Sequence, residues 1–202
     1  MMLARLLAVL CWIATPAWAL AQQATPANGL FLVAKPTLLD PNFARTVVLV
    51  TQTEDASTVG VIINRPTEFK LSQFLSPELD TAHYKDAIYF GGPVMRQALV
   101  SLFVSPTPPE AAAFHVLKNV YLTMHPDNIA RLLLDPNARY RIYAGFSGWA
   151  PSQLESEFMR DSWYVLPADE AALFRDKPDG LWEELLERAM RQGPRASIGA
   201  LQ

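Results

Sequence analysis

Cysteine is nearly absent: Cys11 is the only one in 202 residues. The chain therefore has no intrachain disulfide, and thiolate zinc sites and thiol chemistry are excluded from everything beyond residue 11. An excess of basic charge is also lacking. Lys and Arg total 17 against 20 for Asp and Glu, a net charge of -3, where a protein that grips nucleic acid electrostatically shows a basic face. Histidine is scarce. His83, His115 and His125 lie far apart, and no two have the spacing that sets two ligands on one helix face, so no metal is expected. The stretch "HPDN" offers oxygens but lacks a calcium-loop pattern. Gly91-Gly92-Pro93 is followed by no Walker lysine, and Pro93 has no N–H to give a phosphate. No cofactor is expected. There is no internal repeat and no low-complexity block.

Apolar residues are plentiful, at 50%, enough for one well-filled core in a chain of this length. The N-terminus has the pattern of an export signal. Arg5 precedes the apolar run "LLAVLCWIATPAWALA", which ends in Ala19-Leu20-Ala21, an A-x-A cleavage pattern. The run is shorter than the roughly 20 residues of a membrane span. Leu10 stands before Cys11, where a lipid-attachment site has a small residue. The expectation is a signal peptide over residues 1–21, cut after Ala21, and a periplasmic mature chain starting at Gln22. The alternative is an uncleaved signal anchoring the chain to the inner membrane. Residues 22–29, "QQATPANG", read as a linker, 30–193 as the domain and 194–202 as a C-terminal tail.

Within the domain, β-branched and apolar runs bounded by breakers predict eight strands. They are "LFLVAKP", "TVVLVTQT", "TVGVIINRP", "AIYF", "ALVSLFVS", "NVYLTM", "RYRIYAGF" and "SWYVLP". The short "EDAS" between the second and third predicts a hairpin. Helices are predicted over "HPDNIARLLLD", "PSQLESEFMRD", "DEAALF" and "DGLWEELLERAMRQG", and one or two helical turns at "LSQFL". Pro126 and Pro151 suit helix first turns. In the last helix Leu181, Trp182, Leu185, Leu186 and Met190 form the inward face. Hairpins mixed with helical crossovers define an α+β fold: one compact domain with a mixed, largely antiparallel sheet flanked by helices.

Ser147 tests the enzyme reading. A hydrolase nucleophile elbow is G-x-S-x-G. Here the order is Gly145-Phe146-Ser147-Gly148-Trp149, with the second glycine one place early and a bulky tryptophan where a small residue is needed. No histidine follows Ser147. Ser147 reads as a small residue in a strand-to-helix turn, and no catalytic residue is assigned.

Several stretches, in order, resemble one known family. "GFSGWAPSQLESEF" is similar to the G-Y-x-G-W-x-P-G-Q-L-E-x-E motif of the YqgE/AlgH family, also called UPF0301 or DUF179. "AKPTLLDPNFARTVVLV", "VGVIINRP", "YFGGPV" and "SWYVLPADEAALF" match its other motifs in register, from about Leu30 to Arg191. The resemblance implies a compact α+β fold. It implies no particular reaction, and the family's association with transcriptional regulation brings no DNA-reading module. The chain departs from the family pattern at three places. Lys35 stands for a methionine, Thr51-Gln52-Thr53 for a stretch that often holds Cys or His, and Ser152 for a glycine.

The residues most suited to a ligand are Asn64, Arg65, Gly91, Gly92, Trp149, Gln153 and Glu155. Arg65, at a strand end before Pro66, either clamps an anion with its planar fork or caps backbone carbonyls. Gly91 and Gly92 permit close backbone approach. Trp149, Gln153 and Glu155 could add an aromatic wall and polar groups beside Arg65, or serve only as internal scaffold. Asp40 reads as a turn-former bonding nearby N–H groups. The sequence thus points to an exported, non-enzymatic protein binding a small ligand or protein partner, with regulation as one role open to it. One alternative is an enzyme of unrecognised type acting on an anionic small molecule, using Arg65 with Glu155 or Asp40. The other is a transcription-associated regulator, which the charge and the export signal oppose.

Overall fold

The computed structural model describes residues 28–75 and 87–192. Ten strands form one sheet: β1 (Leu30–Ala34), β2 (Val47–Gln52), β3 (Thr58–Ile62), β4 (Pro66–Lys70), β5 (Ala87–Phe90), β6 (Val94–Val104), β7 (Phe114–Leu117), β8 (Val120–Thr123), β9 (Tyr140–Trp149) and β10 (Trp163–Pro167). Four helices accompany it: α1 (Pro126–Leu134), α2 (Gln153–Met159), α3 (Glu170–Leu173) and α4 (Leu181–Gln192). The main path runs β10-β1-β2-β3-β9-β6-β8-β7, with β5 joining β9 and β4 pairing with β5. Among the described pairings only β5–β9 is parallel. The expected α+β fold with a mixed, largely antiparallel sheet is what forms.

Strand β9 holds the two halves together. Its first part pairs with β6 and β5, and its last three residues pair with β3. The sheet curls so that the residue before β1, the strand next to the end strand β10, reaches β7 at the other end. The Gly29 N–H donates to the Val116 carbonyl at 2.9 Å, so the start of β1 meets β7.

Burial on both faces explains the near-continuous apolar runs of β1 and β2. Phe31, Val33, Val47 and Leu49 face the inner core, with Val100, Leu102, Leu122 and Tyr143 from the other half and with α3 and α4. The alternate residues Leu32, Ala34, Val48 and Val50 face a second core against Trp149, Trp163 and Leu154 of α2. Residues two apart share a face because strand side chains alternate. A smaller cluster of Leu71, Ile88, Ile129 and Ile142 seats α1 on the second half. Each fully buried Leu, Ile or Phe here contributes about 1.5–3 kcal/mol.

Several expectations are corrected. Strands β4 and β7 were not expected. β4 is an exposed polar edge opened by a proline, and β7, "FHVL", is only four residues long, so neither carries a clear alternating pattern. Ser147 is not in a turn but inside β9, fully buried. Pro151 precedes α2 rather than opening it, and Ser152 occupies the cap position. Met190 is 62% exposed, and Ala189 takes the inward place; eight residues on from Leu181 it returns to the same face. Gly193, the tail and the signal and linker up to residue 27 lie outside the described residues.

Candidate functional site

Three of the sequence-predicted site residues meet around the turn between β1 and β2. Asp40 starts that turn. Its Oδ1 accepts the Asn42 N–H at 2.7 Å, and its carbonyl accepts the N–H groups of Phe43 and Ala44. Asn64 ties the turn to the sheet, accepting the Val47 N–H at 2.9 Å and donating to the Arg45 carbonyl at 3.0 Å. Arg65 gives its fork to the same turn. Nη1 donates to the carbonyls of Pro41 and Asn42, at 3.2 and 2.7 Å, and Nη2 to that of Ala44 at 2.8 Å. Burial makes the Arg65 guanidinium easier to deprotonate than usual, and the nearby charge of Asp40 opposes this. Of its two expected roles, the structure shows carbonyl capping.

The turn so held delivers Phe43 to an aromatic cluster. Its ring centroid lies 5.7 Å from that of Trp149 and 5.6 Å from that of Trp163. Both tryptophans are buried, and both need an acceptor for the indole N–H. Glu157 of α2 supplies it, Oε1 accepting from Trp149 at 3.1 Å and Oε2 from Trp163 at 2.7 Å. Glu157 was missed as a site residue although it ends the quoted "QLESE" motif. Gln153 closes its own turn, Oε1 accepting the Ala150 N–H at 3.1 Å. Glu155 lies in the first turn of α2, and among the described residues no ion pair joins it to Arg65. These stretches thus fix one internal joint between turn, sheet and α2.

Gly91 and Gly92 are placed apart from that joint, where the chain passes from β5 across β9 to β6. The Gly91 N–H donates to Ala144, and the Gly91 carbonyl accepts from Ile62. A Cβ on Gly92, whose φ is 152°, would stand 2.4 Å from the Phe146 carbonyl. Gly145 has a φ of 72° and would push a Cβ to 2.6 Å from the Gly92 carbonyl. Only glycines let the two backbones cross this closely. Ser147 seals the crossing, its hydroxyl donating to the Gly91 carbonyl at 3.2 Å. Buried and committed to a carbonyl, Ser147 is unsuited to attack a substrate.

A concavity lies elsewhere, away from Asn64, Arg65, Trp149 and the glycines. A cleft of about 800 Å³ opens between the end of β2 and β7. One wall is Thr51, Gln52 and Thr53 with the hairpin carboxylates Glu54 and Asp55, and Asn28 beside them. The other is Ala112, Ala113, Phe114 and His115, with Met124, His125 and Pro126 beyond. Among the described residues, two carboxylates and no lysine or arginine line it. The Thr53 hydroxyl, then the Ser57 backbone N–H, holds the Asp55 carboxyl below its ordinary range. His115 stacks on Tyr121 with ring centroids 4.9 Å apart. His125 caps α1, its Nδ1 accepting the Asp127 N–H at 3.3 Å. Among the described residues no group of three or more His, Cys, Asp or Glu side chains could hold a metal ion.

The second wall is braced from behind. Buried Asn128 donates to the carbonyls of Ala111 and Ala112 and to the Thr123 hydroxyl, all within 3.2 Å. Thr123 in turn donates to Ala112 at 2.8 Å. One wall did carry a sequence signal, since Thr51-Gln52-Thr53 departs from the family pattern. Nothing periodic marked the other.

Fold and site together define a single-domain α+β protein with a cleft that carries two carboxylates. Residues 31–193 match the AlgH-like family, DUF179, and the chain belongs to it. A UPF0301 protein of Streptomyces avermitilis is 34% identical over 169 residues, covering 80% of this chain and 86% of the relative. One from Thermobifida fusca is 35% identical over 170 residues, with the same shares. The solution structure of the AlgH protein from Pseudomonas aeruginosa superposes with a TM-score of 0.66 at 30% identity, covering 90% of this chain and 97% of that one. The crystal structure of a Corynebacterium diphtheriae protein gives 0.63 at 26%, covering 88% and 93%.

Proposed function

We propose that this chain is an exported, non-enzymatic member of the AlgH-like family that binds a small ligand or a protein segment in the cleft between β2 and β7. The observation that carries this is the cleft itself. It is about 800 Å³ and mixes apolar side chains such as Phe114 and Met124 with polar groups, within the range of ligand sites. By contrast, Asn64, Arg65 and Trp149 have their polar groups bonded internally. Export is supported by the N-terminal pattern up to Ala21. Among the described residues no helix is long and apolar enough to cross a membrane.

Two measurements test the reading. The apolar dye N-phenyl-1-naphthylamine is expected to bind the purified protein and to be excluded by Ala112→Trp, which fills the cleft. Dye binding indifferent to that change would remove the cleft from consideration. Cell fractionation with intact-mass analysis is expected to find a periplasmic species starting at Gln22. A full-length cytosolic species would refute export. A full-length species in the membrane fraction would give an anchor instead of a cleaved signal.

A further inference from the structure

We propose that Asn28–Gly29 is a self-modifying site: once its contacts open, the Asn28 amide is lost as ammonia, residue 28 becomes aspartate or isoaspartate, and the start of β1 comes away from β7. Asn28 is the only asparagine of this chain followed by glycine. The chemistry is intramolecular and uses only water besides the chain. The Gly29 backbone nitrogen attacks the Asn28 side-chain carbonyl carbon. A C–N bond forms, the bond to Nδ2 breaks, and ammonia leaves with the proton of the Gly29 N–H. The succinimide ring then takes up water at either carbonyl. One opening gives aspartate; the other routes the main chain through the side chain and gives isoaspartate. A Cβ on the attacking residue crowds this ring closure, and glycine has none.

The fold both demands this pair and restrains it. A Cβ at residue 29 would stand 2.4 Å from Val116 Cγ1 and 2.7 Å from the Val116 carbonyl oxygen, so glycine alone lets the chain pass β7 here. The Gly29 N–H donates to that same carbonyl at 2.9 Å, which holds the attacking nitrogen against β7. Asn28 is exposed, but its side chain bridges the end of β2. Nδ2 donates to the Gln52 carbonyl at 3.4 Å, and Oδ1 accepts from the Thr51 hydroxyl. Both reacting groups are thus committed elsewhere in the closed form, and ring closure follows local opening. The product does not fit the closed form. A carboxylate has no N–H for Gln52, so two acceptors would face each other. It also adds a negative charge to the cleft that residue 28 lines together with Glu54 and Asp55. Isoaspartate lengthens the main chain by a methylene just before Gly29, which takes its N–H out of register with Val116.

Peptide mapping by mass spectrometry tests this on the purified protein, held in mildly alkaline buffer either folded or in urea. Chymotryptic peptides ending at Phe31 contain Asn28 as their only asparagine, and isoaspartate in them is scored by enzymatic methylation. The unfolded chain is expected to deamidate at Asn28 about tenfold faster than the folded one, since each hydrogen bond that must open slows the step a few-fold. Thr51→Val removes the hydroxyl donor and should speed the reaction of the folded protein a few-fold. In the deamidated protein and in Asn28→Asp, amide exchange at residues 114–117 of β7 should quicken. Equal rates in the folded and unfolded chains would overturn the restraint by these contacts. No isoaspartate even in the unfolded chain would overturn the site itself. Unchanged exchange at residues 114–117 in both altered forms would overturn the release of β7.

Discussion

Glu157 is the single acceptor for two buried indoles. Trp149 and Trp163 are 3% and 4% exposed, so water cannot replace the carboxylate if it is removed. Glu157→Ala leaves two buried donors unpaired and should lower stability by about 3 kcal/mol. Glu157→Gln keeps one acceptor and should fall between the two. Urea unfolding followed by tryptophan fluorescence measures both; a Glu157→Ala change within experimental error of wild type would show that the carboxylate is not needed. Asp55 carries a different expectation. Its carboxyl is held below the ordinary aspartate value of 3.8 by Thr53 first and Ser57 next. A lowered folded pKa stabilises the protein above the unfolded value, and that stabilisation is lost as pH falls through the lower folded one. A carboxylate NMR titration should place Asp55 below 3.8, and Thr53→Val should bring it back up. An unshifted wild-type midpoint would contradict the hydrogen bonds described here.

Elements show which local signals survive in a sequence. β1, β2, β3 and β10 read clearly because their apolar runs match burial on two cores. α4 read clearly because its inward residues recur at helical spacing. β4 and β7 did not, since an edge strand has few side chains that must be buried. The start of α2 was misread because Pro151 looked like a first-turn proline, whereas the chain turns at Ser152 with φ 64° and ψ -1°. That left-handed conformation explains why a glycine is expected there from the family pattern. A left-handed L-residue is strained by about 1 kcal/mol, and the Ser152 side chain makes no capping bond in return. Ser152→Gly should therefore stabilise the protein by about 0.5 kcal/mol, after allowance for the greater freedom of glycine in the unfolded chain. Ser152→Ala should not. A shift of the urea midpoint upward for glycine alone is the expected result, and a downward shift would show that the strain is relieved elsewhere.

At the scale of the whole molecule, the most legible residues make internal contacts and the cleft was barely legible. Asn64, Arg65, Trp149 and the glycines stand out in sequence because turns, crossings and aromatic joints demand particular residue types. The cleft is made by two strand ends failing to meet, and its alanines and threonines carry no motif. Beside the cleft, Gly29 contacts β7. A Cβ at Gly29 would stand 2.4 Å from Val116 Cγ1 and 2.7 Å from the Val116 carbonyl oxygen. The oxygen is backbone and is also the acceptor of the Gly29 N–H, so relief requires β7 to move away from β1. Gly29→Ala should thus cost about 2 kcal/mol, or about 6 °C in Tm. The loss should be local. Amide exchange should quicken across residues 114–117 of β7, while β1, β2 and β3, held by their own pairings, keep their protection. Dye binding in the cleft should weaken in the same variant, because β7 forms part of its wall. Uniform loss of protection across all ten strands would instead mean that the Gly29 contact holds the entire fold and not merely the cleft.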